Sequence, residues 1–226
     1  MSRNRVNTTF PNFFDTFIFF LESEHVPKSE YPIYFGNSND TLPYIFMNTE
    51  QVTRKRVLDN IIKINKDNKP FEIWDYSWKN CEILAQNGII AKHVPLQSPK
   101  WYLDKLKTWR TTIIYDVGFS GTLTSRRLVI LNQLKERGVK VNDVPRWGEE
   151  RDKELAKCRI LINIHAGDDY NVFEQARCEP WLAIGVPVIS ENSLDNDPRC
   201  INVEYTALVE KVLSVHYNTV IWYTQR

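Results

Sequence analysis

The sequence predicts an α/β fold built as two Rossmann-like halves that face a central cleft. Three observations predict it. Short apolar runs of strand length alternate with helix-length amphipathic stretches, the connections between them are short, and the alternation pauses once and then restarts. Such alternation argues for parallel sheets covered by helices on both faces. The pause divides the chain into an N-terminal half over 1–108 and a C-terminal half over 109–226.

Taken in order, residues 18–21, 33–35, 44–47 and 72–74 read as buried strands, each bounded by polar or turn residues. Between the last two, residues 53–66 place Val57, Ile61, Ile62 and Ile64 on one helical face and Arg54, Lys55, Arg56 and Lys63 on the other. A second helix is expected over 78–87 with Gly88 as its stop, followed by a short extended piece over 94–96. Residues 97–110 are polar and aromatic, show no clear strand, and are read as a connection between the two halves. The second set runs strand 112–117, helix 125–137 to Gly138, strand 139–144, helix 149–157, strand 160–164, helix 170–184 to Gly185, strand 186–190 and a last helix over 205–215.

Composition narrows the function. The chain has 226 residues, 8 glycines and a formal charge of +1. A balanced charge argues against a broad nucleic-acid surface, which needs clustered Lys and Arg. Neither G-x-G-x-x-G nor G-x-x-x-x-G-K-[ST] occurs, so the dinucleotide fingerprint and the P-loop are absent. The apolar run 17–21 is too short to span a bilayer and lacks a cleavage site, so no transmembrane segment and a cytoplasmic location are expected. Cys81, Cys158, Cys178 and Cys200 lack C-x-x-C spacing, which points to reduced thiols rather than structural zinc.

In parallel sheets, ligands bind beyond the carboxyl ends of the strands. There the sequence turns polar five times: Asn48-Thr49-Glu50-Gln51, Asp75-Tyr76-Ser77 with Asn80, Gly118 to Thr122, His165 to Asp169, and Ser190-Glu191-Asn192. Each such residue taken alone reads first as a helix cap or turn. Together they predict a polar cleft suited to a sugar or nucleotide. Gly118-x-x-Gly121 with Thr122 opens a helix whose N–H groups attract anions. Arg126 and Arg127 come next and are candidates for charge-assisted bonds to a diphosphate. Asp195-Asn196-Asp197 matches a D-x-D pattern, but it reads as a solvated turn, and no metal site is expected.

Several stretches, in this order, resemble the donor-binding half of GT-B-type glycosyltransferases. They are 116–127, Trp147-Gly148-Glu149-Glu150-Arg151-Asp152, 160–165, Phe173-Glu174-Gln175-Ala176-Arg177-Cys178-Glu179-Pro180 and 185–191. The pattern is most similar to a small group from bacterial and large-virus polysaccharide loci. Asn48-Thr49-Glu50-Gln51 and Trp74-Asp75-Tyr76-Ser77-x-x-Asn80 are similar to that group's N-terminal domain, so the likeness covers about residues 40–195.

The resemblance implies metal-independent transfer of a sugar from a nucleotide-sugar, a UDP- or GDP-sugar, to a hydroxyl of a glycan or other acceptor, with no further cofactor. It implies donor contacts from Gly121, Thr122, Arg126, Arg127, Glu174, Arg177 and Glu179. The spacing of Glu174 and Glu179 departs from the family's usual one, so their separate roles stay open. Asn48, Tyr76, Ser77 and Asn80 fall on the acceptor side. His165, Asp75 and Glu50 are the candidate bases. Two other readings stand beside this one: a noncatalytic nucleotide-sugar or glycan-binding module, and an unrelated two-domain nucleotide-processing enzyme.

Overall fold

The computed structural model describes residues 6–7, 27, 29, 31–35 and 43–224, with side chains described for all of these except 6–7 and 217–224. The strand expected at 18–21 lies outside the described residues. Two parallel five-stranded sheets succeed one another along the chain.

The first sheet runs β1 (Val6–Asn7), β2 (Ile33–Tyr34), β3 (Ile45–Asn48), β4 (Glu72–Asp75) and β5 (Ala91–His93) in chain order. Asn48 lies opposite Asp75, and Asp75 opposite His93, so the three strands end level with one another. Helix α1 (Lys55–Asp67) joins β3 to β4, and α2 (Trp78–Gln86) joins β4 to β5. Helix α1 buries Ile61 and Ile64 against Phe46, Ile73 and Leu84. Ser77 caps α2, accepting from the N–H groups of Lys79 and Asn80.

The connection expected over 97–110 contains a helix, α3 (Lys100–Trp109). Pro99 sets its start, and Tyr102 and Leu106, one turn apart, are its buried positions. That two-residue stripe is too thin to register as an apolar face in a segment this polar.

The second sheet has strands β6 (Tyr115–Ser120), β7 (Val141–Val144), β8 (Cys158–Asn163), β9 (Val188–Glu191) and β10 (Ile201–Val203), in the order β10-β9-β8-β6-β7. The chain goes from β6 through α4 (Ser125–Glu136) to β7, then through α5 (Gly148–Leu155) back past β6 to β8. The order therefore reverses between β6 and β8, where a parallel sheet opens its crevice. Gly118 makes this pairing close: a Cβ there would meet Cys158 Sγ and Leu161 Cδ2 at 2.7 Å. Helix α6 (Gln175–Ala183) leads into β9 and is shorter than the 170–184 expected, because 170–174 form the cleft loop instead. After a 3-10 turn at Tyr205–Ala207, α7 (Leu208–Thr224) packs Leu208, Val209, Val212 and Leu213 onto the core with Val117, Ile160, Ile162 and Ile189.

All four cysteines are free thiols. Burial pushes Cys158 and Cys200 up to about 12, so neither is a ready nucleophile. Among the described residues, no helix is long and apolar enough to cross a membrane.

Candidate active site in the cleft between the sheets

A cavity of about 380 Å³ lies between the two sheets. Its walls are built from segments just beyond the carboxyl ends of six strands. Thr49, Glu50 and Gln51 come after β3, Tyr76 after β4 and Leu96 after β5. Gly121, Thr122 and Thr124 come after β6, Trp147 and Arg151 after β7, and Ala166, Tyr170 and Glu174 after β8.

The deepest charged group is Arg127, 3% exposed in the first turn of α4. Its Nε donates to Ile164 O at 2.8 Å and its Nη1 to Thr122 O at 2.9 Å. Its Nη2 donates to Glu174 Oε1 at 3.1 Å. Arg177 Nη1 donates to Asn163 Oδ1 at 2.8 Å and also to Glu174 Oε2. Two guanidiniums thus share one carboxylate, and the local balance stays positive. Burial first, and then Arg177, lowers the Arg127 pKa to about 10, so the group remains charged at neutral pH.

Gly121 makes room for this pair. Its φ is +143°, and a Cβ would lie 2.9 Å from Arg177 Nη2 and 3.3 Å from Arg127 Nη1. Beside them the N-terminus of α4 presents its unsatisfied N–H groups, with Thr124 as its cap.

On the opposite wall, Glu50 stands 3.3 Å from Arg54. Its side chain is about half exposed, yet the cleft walls strip water from the carboxyl and raise its pKa, against the pull of Arg54 and Arg56. Arg54 reaches over the Tyr170 ring, 4.3 Å from its centroid, and Thr53 Oγ1 donates to Asp169 O at 2.8 Å. The α1 start and the loop after β8 therefore meet across the cavity mouth.

Of the residues predicted for the site, Gly121, Thr122, Arg127, Glu174, Arg177, Glu50 and Tyr76 border the cavity. The others do not, and each has a physical reason. Arg126 leaves α4 on a different side from Arg127, grips Glu191 through both terminal nitrogens and lies 3.8 Å from the Tyr205 ring centroid. Glu179 accepts from both the N–H and the hydroxyl of Ser98, tying α6 to the connection before α3. His165 is 2% exposed, with Nε2 within 3.1 Å of both Asn192 O and Ser193 Oγ. Asp75 accepts from Asn48 Nδ2, Asn80 Nδ2 and the Ser77 N–H, a buried knot that fixes the loops after β3 and β4. Asn48, Ser77 and Asn80 are consumed in that knot and do not reach the cavity.

Desolvation pushes Asp75 up to about 7 despite its three donors, with Asp195 adding to the rise. Asp195, expected in a solvated turn, instead accepts from Ser77 Oγ and from the Phe173 N–H. Among the described residues, no group of His, Cys, Asp and Glu is arranged to hold a metal ion.

Sequence reasoning passes over Trp147, Arg151, Arg54 and Tyr170 as site residues. Trp147 and Arg151 carry a readable signal, lying four residues apart directly after a strand. Arg54 and Tyr170 carry none, because their contact joins segments more than a hundred residues apart.

No protein-family model matches the chain. It is 37% identical over 170 residues to uncharacterized protein L140 of Acanthamoeba polyphaga mimivirus, covering 74% of this chain and 54% of that protein. It is 35% identical over 150 residues to uncharacterized protein L138 of the same virus, covering 65% of this chain and 16% of that protein. A similar match, 36% over 154 residues, joins it to uncharacterized protein L137, over 20% of that protein. The chain thus spans about half of one of these relatives and a fifth or less of the other two.

Proposed function

We propose that this chain is a glycosyltransferase of GT-B type that moves a sugar from a nucleotide-sugar to a glycan or other hydroxyl acceptor. One observation carries the reading: two guanidiniums, a helix N-terminus and a glycine turn converge on one wall of a cleft, and a carboxylate of raised pKa faces them from the other. The donor lies against the second sheet, with its diphosphate at Gly121, Thr122 and the start of α4. Arg127 and Arg177 supply charge where the diphosphate departs, which is where preorganised donors lower a barrier most. The acceptor enters from the side of β3 and β4. Its hydroxyl oxygen bonds to the anomeric carbon as the bond from that carbon to the diphosphate oxygen breaks.

Glu50 takes the hydroxyl proton if the transfer is by direct inversion. Of the three candidate bases it alone borders the cavity; Asp75 and His165 serve the scaffold. This assignment asks no metal to hold the leaving group.

The test is calorimetric titration with UDP, GDP, CDP and their sugars, followed by turnover with a panel of acceptors. A UDP- or GDP-sugar is expected to bind, and Arg127→Ala to weaken it at least tenfold. Absence of binding across the panel would overturn the reading. A noncatalytic nucleotide-sugar or glycan-binding module is the second reading, favoured by the placement of Asp75 and His165, which are held in scaffold bonds away from the cavity. Binding without turnover on any acceptor would establish it.

A further inference from the structure

Two glutamines cross the cleft in opposite senses. Gln51, in the first half just beyond β3, accepts the Val172 N–H of the second half on its Oε1 at 2.9 Å. Gln175, the first residue of α6 in the second half, accepts the Leu96 N–H of the first half on its Oε1 at 2.8 Å. Both border the cavity, and so does Tyr76 beyond β4. Leu96 and Val172, whose N–H groups anchor the glutamines, are buried with the Tyr76 ring in one apolar cluster. The two amides and the phenol are therefore set around a single packed patch of the cleft wall.

Gln51 is 6% exposed and Tyr76 5%. Among the described residues, Gln51 Nε2, Gln175 Nε2 and the Tyr76 hydroxyl have no hydrogen-bond partner, and none of these atoms is sealed in the interior. Buried polar side chains are almost always paired, so three such groups on one patch of a cavity suit a ligand. With each Oε1 turned to a backbone N–H, each amide presents its two N–H donors, and the phenol adds an O–H. A sugar hydroxyl must donate as well as accept. A carbonyl oxygen only accepts, through two lone pairs, and so matches this patch more fully.

Charge selects among carbonyls. On this wall Arg54 is already paired with Glu50. Burial pushes the Tyr76 hydroxyl well above its ordinary pKa, and the carboxylates of Asp75, Asp195, Glu174 and Glu50 push it further. A wall that resists a phenolate resists a bound carboxylate for the same reason. Arg127 and Arg177 place their charge on the wall of the second sheet instead.

We propose that Gln51, Gln175 and Tyr76 form an acceptor subsite that holds the uncharged carbonyl oxygen of an acetamido sugar. This rests on the reading above, in which the acceptor enters from the side of β3 and β4, and it narrows that acceptor to an N-acetylated sugar. The three act as positioning residues: they hold the sugar beside Glu50, which adjoins Gln51 in the chain.

The experiment measures, by ligand-observed NMR on the intact chain, the affinity for methyl glycosides of N-acetylglucosamine, N-acetylgalactosamine, glucose, galactose and glucuronic acid. Each acetamido sugar differs from its parent only in the group on one carbon. At least one acetamido sugar is expected to bind about tenfold more tightly than its parent, and the glucuronide no more tightly than the glucoside. Tyr76→Phe, Gln51→Glu and Gln175→Glu keep the side-chain shape and remove donors. Each is expected to cut that ratio about threefold or more, the range of one uncharged hydrogen bond. Both sugars are read on the same variant, so a loss of folded protein affects them alike and leaves the ratio unchanged. A ratio near one in the unaltered chain, a ratio unchanged in all three variants, or a preference for the glucuronide overturns the subsite. UDP titrated into the unaltered chain keeps the two readings apart. Acetamido preference without UDP binding supports the subsite, in a glycan-binding module, and removes the nucleotide-sugar reading. UDP binding with a ratio near one does the reverse.

Discussion

Ser77 Oγ donates to Asp195 Oδ2, joining the cap of a first-sheet helix to the loop between β9 and β10 of the second sheet. The same oxygen accepts the N–H groups of Lys79 and Asn80. One hydroxyl therefore serves helix α2 and the junction between the sheets. Ser77→Ala removes both, and a lost cap alone costs about 1 kcal/mol. For a chain of this size the thermal midpoint is expected to fall by about 2–4 °C for each kcal/mol. A double-mutant cycle with Asp195→Ala isolates the junction. A coupling of about 0.5 kcal/mol or more is expected for residues in one hydrogen-bond network. Strict additivity would dissolve the link.

Asp75 gives stability a dependence on pH. Its folded pKa is raised to about 7 from an ordinary 3.8, so between these values the folded state binds a proton that the unfolded chain has released. Stability from this group is complete below about pH 4 and is lost as pH rises through 7. Burial raises Asp195 in the same direction. Urea unfolding at about pH 5 and about pH 7.5 is expected to show the lower midpoint at the higher pH. Asp75→Asn is expected to shrink that difference, because it removes the titrating group. An unchanged difference would assign the slope to other groups.

Gly121→Ala is a local probe of the guanidinium pair. The positive φ strains any side chain by about 1–3 kcal/mol, and the new Cβ pushes on Arg177 and Arg127. The chain is expected to fold with a lowered midpoint and to bind pyrophosphate more weakly. Unaltered pyrophosphate affinity in a folded Gly121→Ala protein would mean that the anion does not sit at this turn.

If Glu50 is the base of an inverting transfer, as proposed, Glu50→Gln separates chemistry from binding. General-base catalysis contributes about 10²–10⁴-fold, so turnover is expected to fall by that order with donor affinity unchanged. The base must be ionised to act, and desolvation raises its pKa. The unaltered protein should therefore gain activity as pH rises through the raised pKa of Glu50, and the variant should lose this acid limb. A retained acid limb would pass the role to another group.

The scaffold is legible where sequence pattern and burial agree. Strands such as 160–164 are almost wholly apolar because both faces of a parallel sheet are covered. Helices ending at Gly88, Gly138 and Gly185 announce their stops, and all three fall where expected. Strand β5, Ala91–His93, is hidden in the sequence because it is half polar. Strand β10, Ile201–Val203, is hidden because it is short and pairs with one neighbour.

The cleft is legible in place but not in the orientation of its side chains. Polar residues do gather at the strand ends around it, yet a strand-end side chain has two uses. It either faces the cavity, as Glu50 does, or turns back to hold the loop, as Asp75 and Asn48 do. Arg126 and Arg127 are adjacent in sequence and leave α4 on different sides, one to Glu191 and one to Glu174. Which of the two serves the cleft depends on helix rotation, and that rotation is fixed by packing distant in the sequence.

Val172 belongs by chain order to the second sheet, yet its side chain is buried with Ile33, Ile45, Met47 and Trp74 of the first and with Leu96 just beyond β5. Its N–H donates to Gln51 Oε1 at 2.9 Å. The loop that carries Tyr170 and Glu174 into the cavity is thereby pegged into the opposite wall. Widening the cleft would draw an aliphatic plug out of its socket, at about 1.5–3 kcal/mol for a side chain of this kind. The gap between the walls is then held as a bolt holds a door, and any push that unseats Val172 reaches Glu174 and its two arginines two residues later.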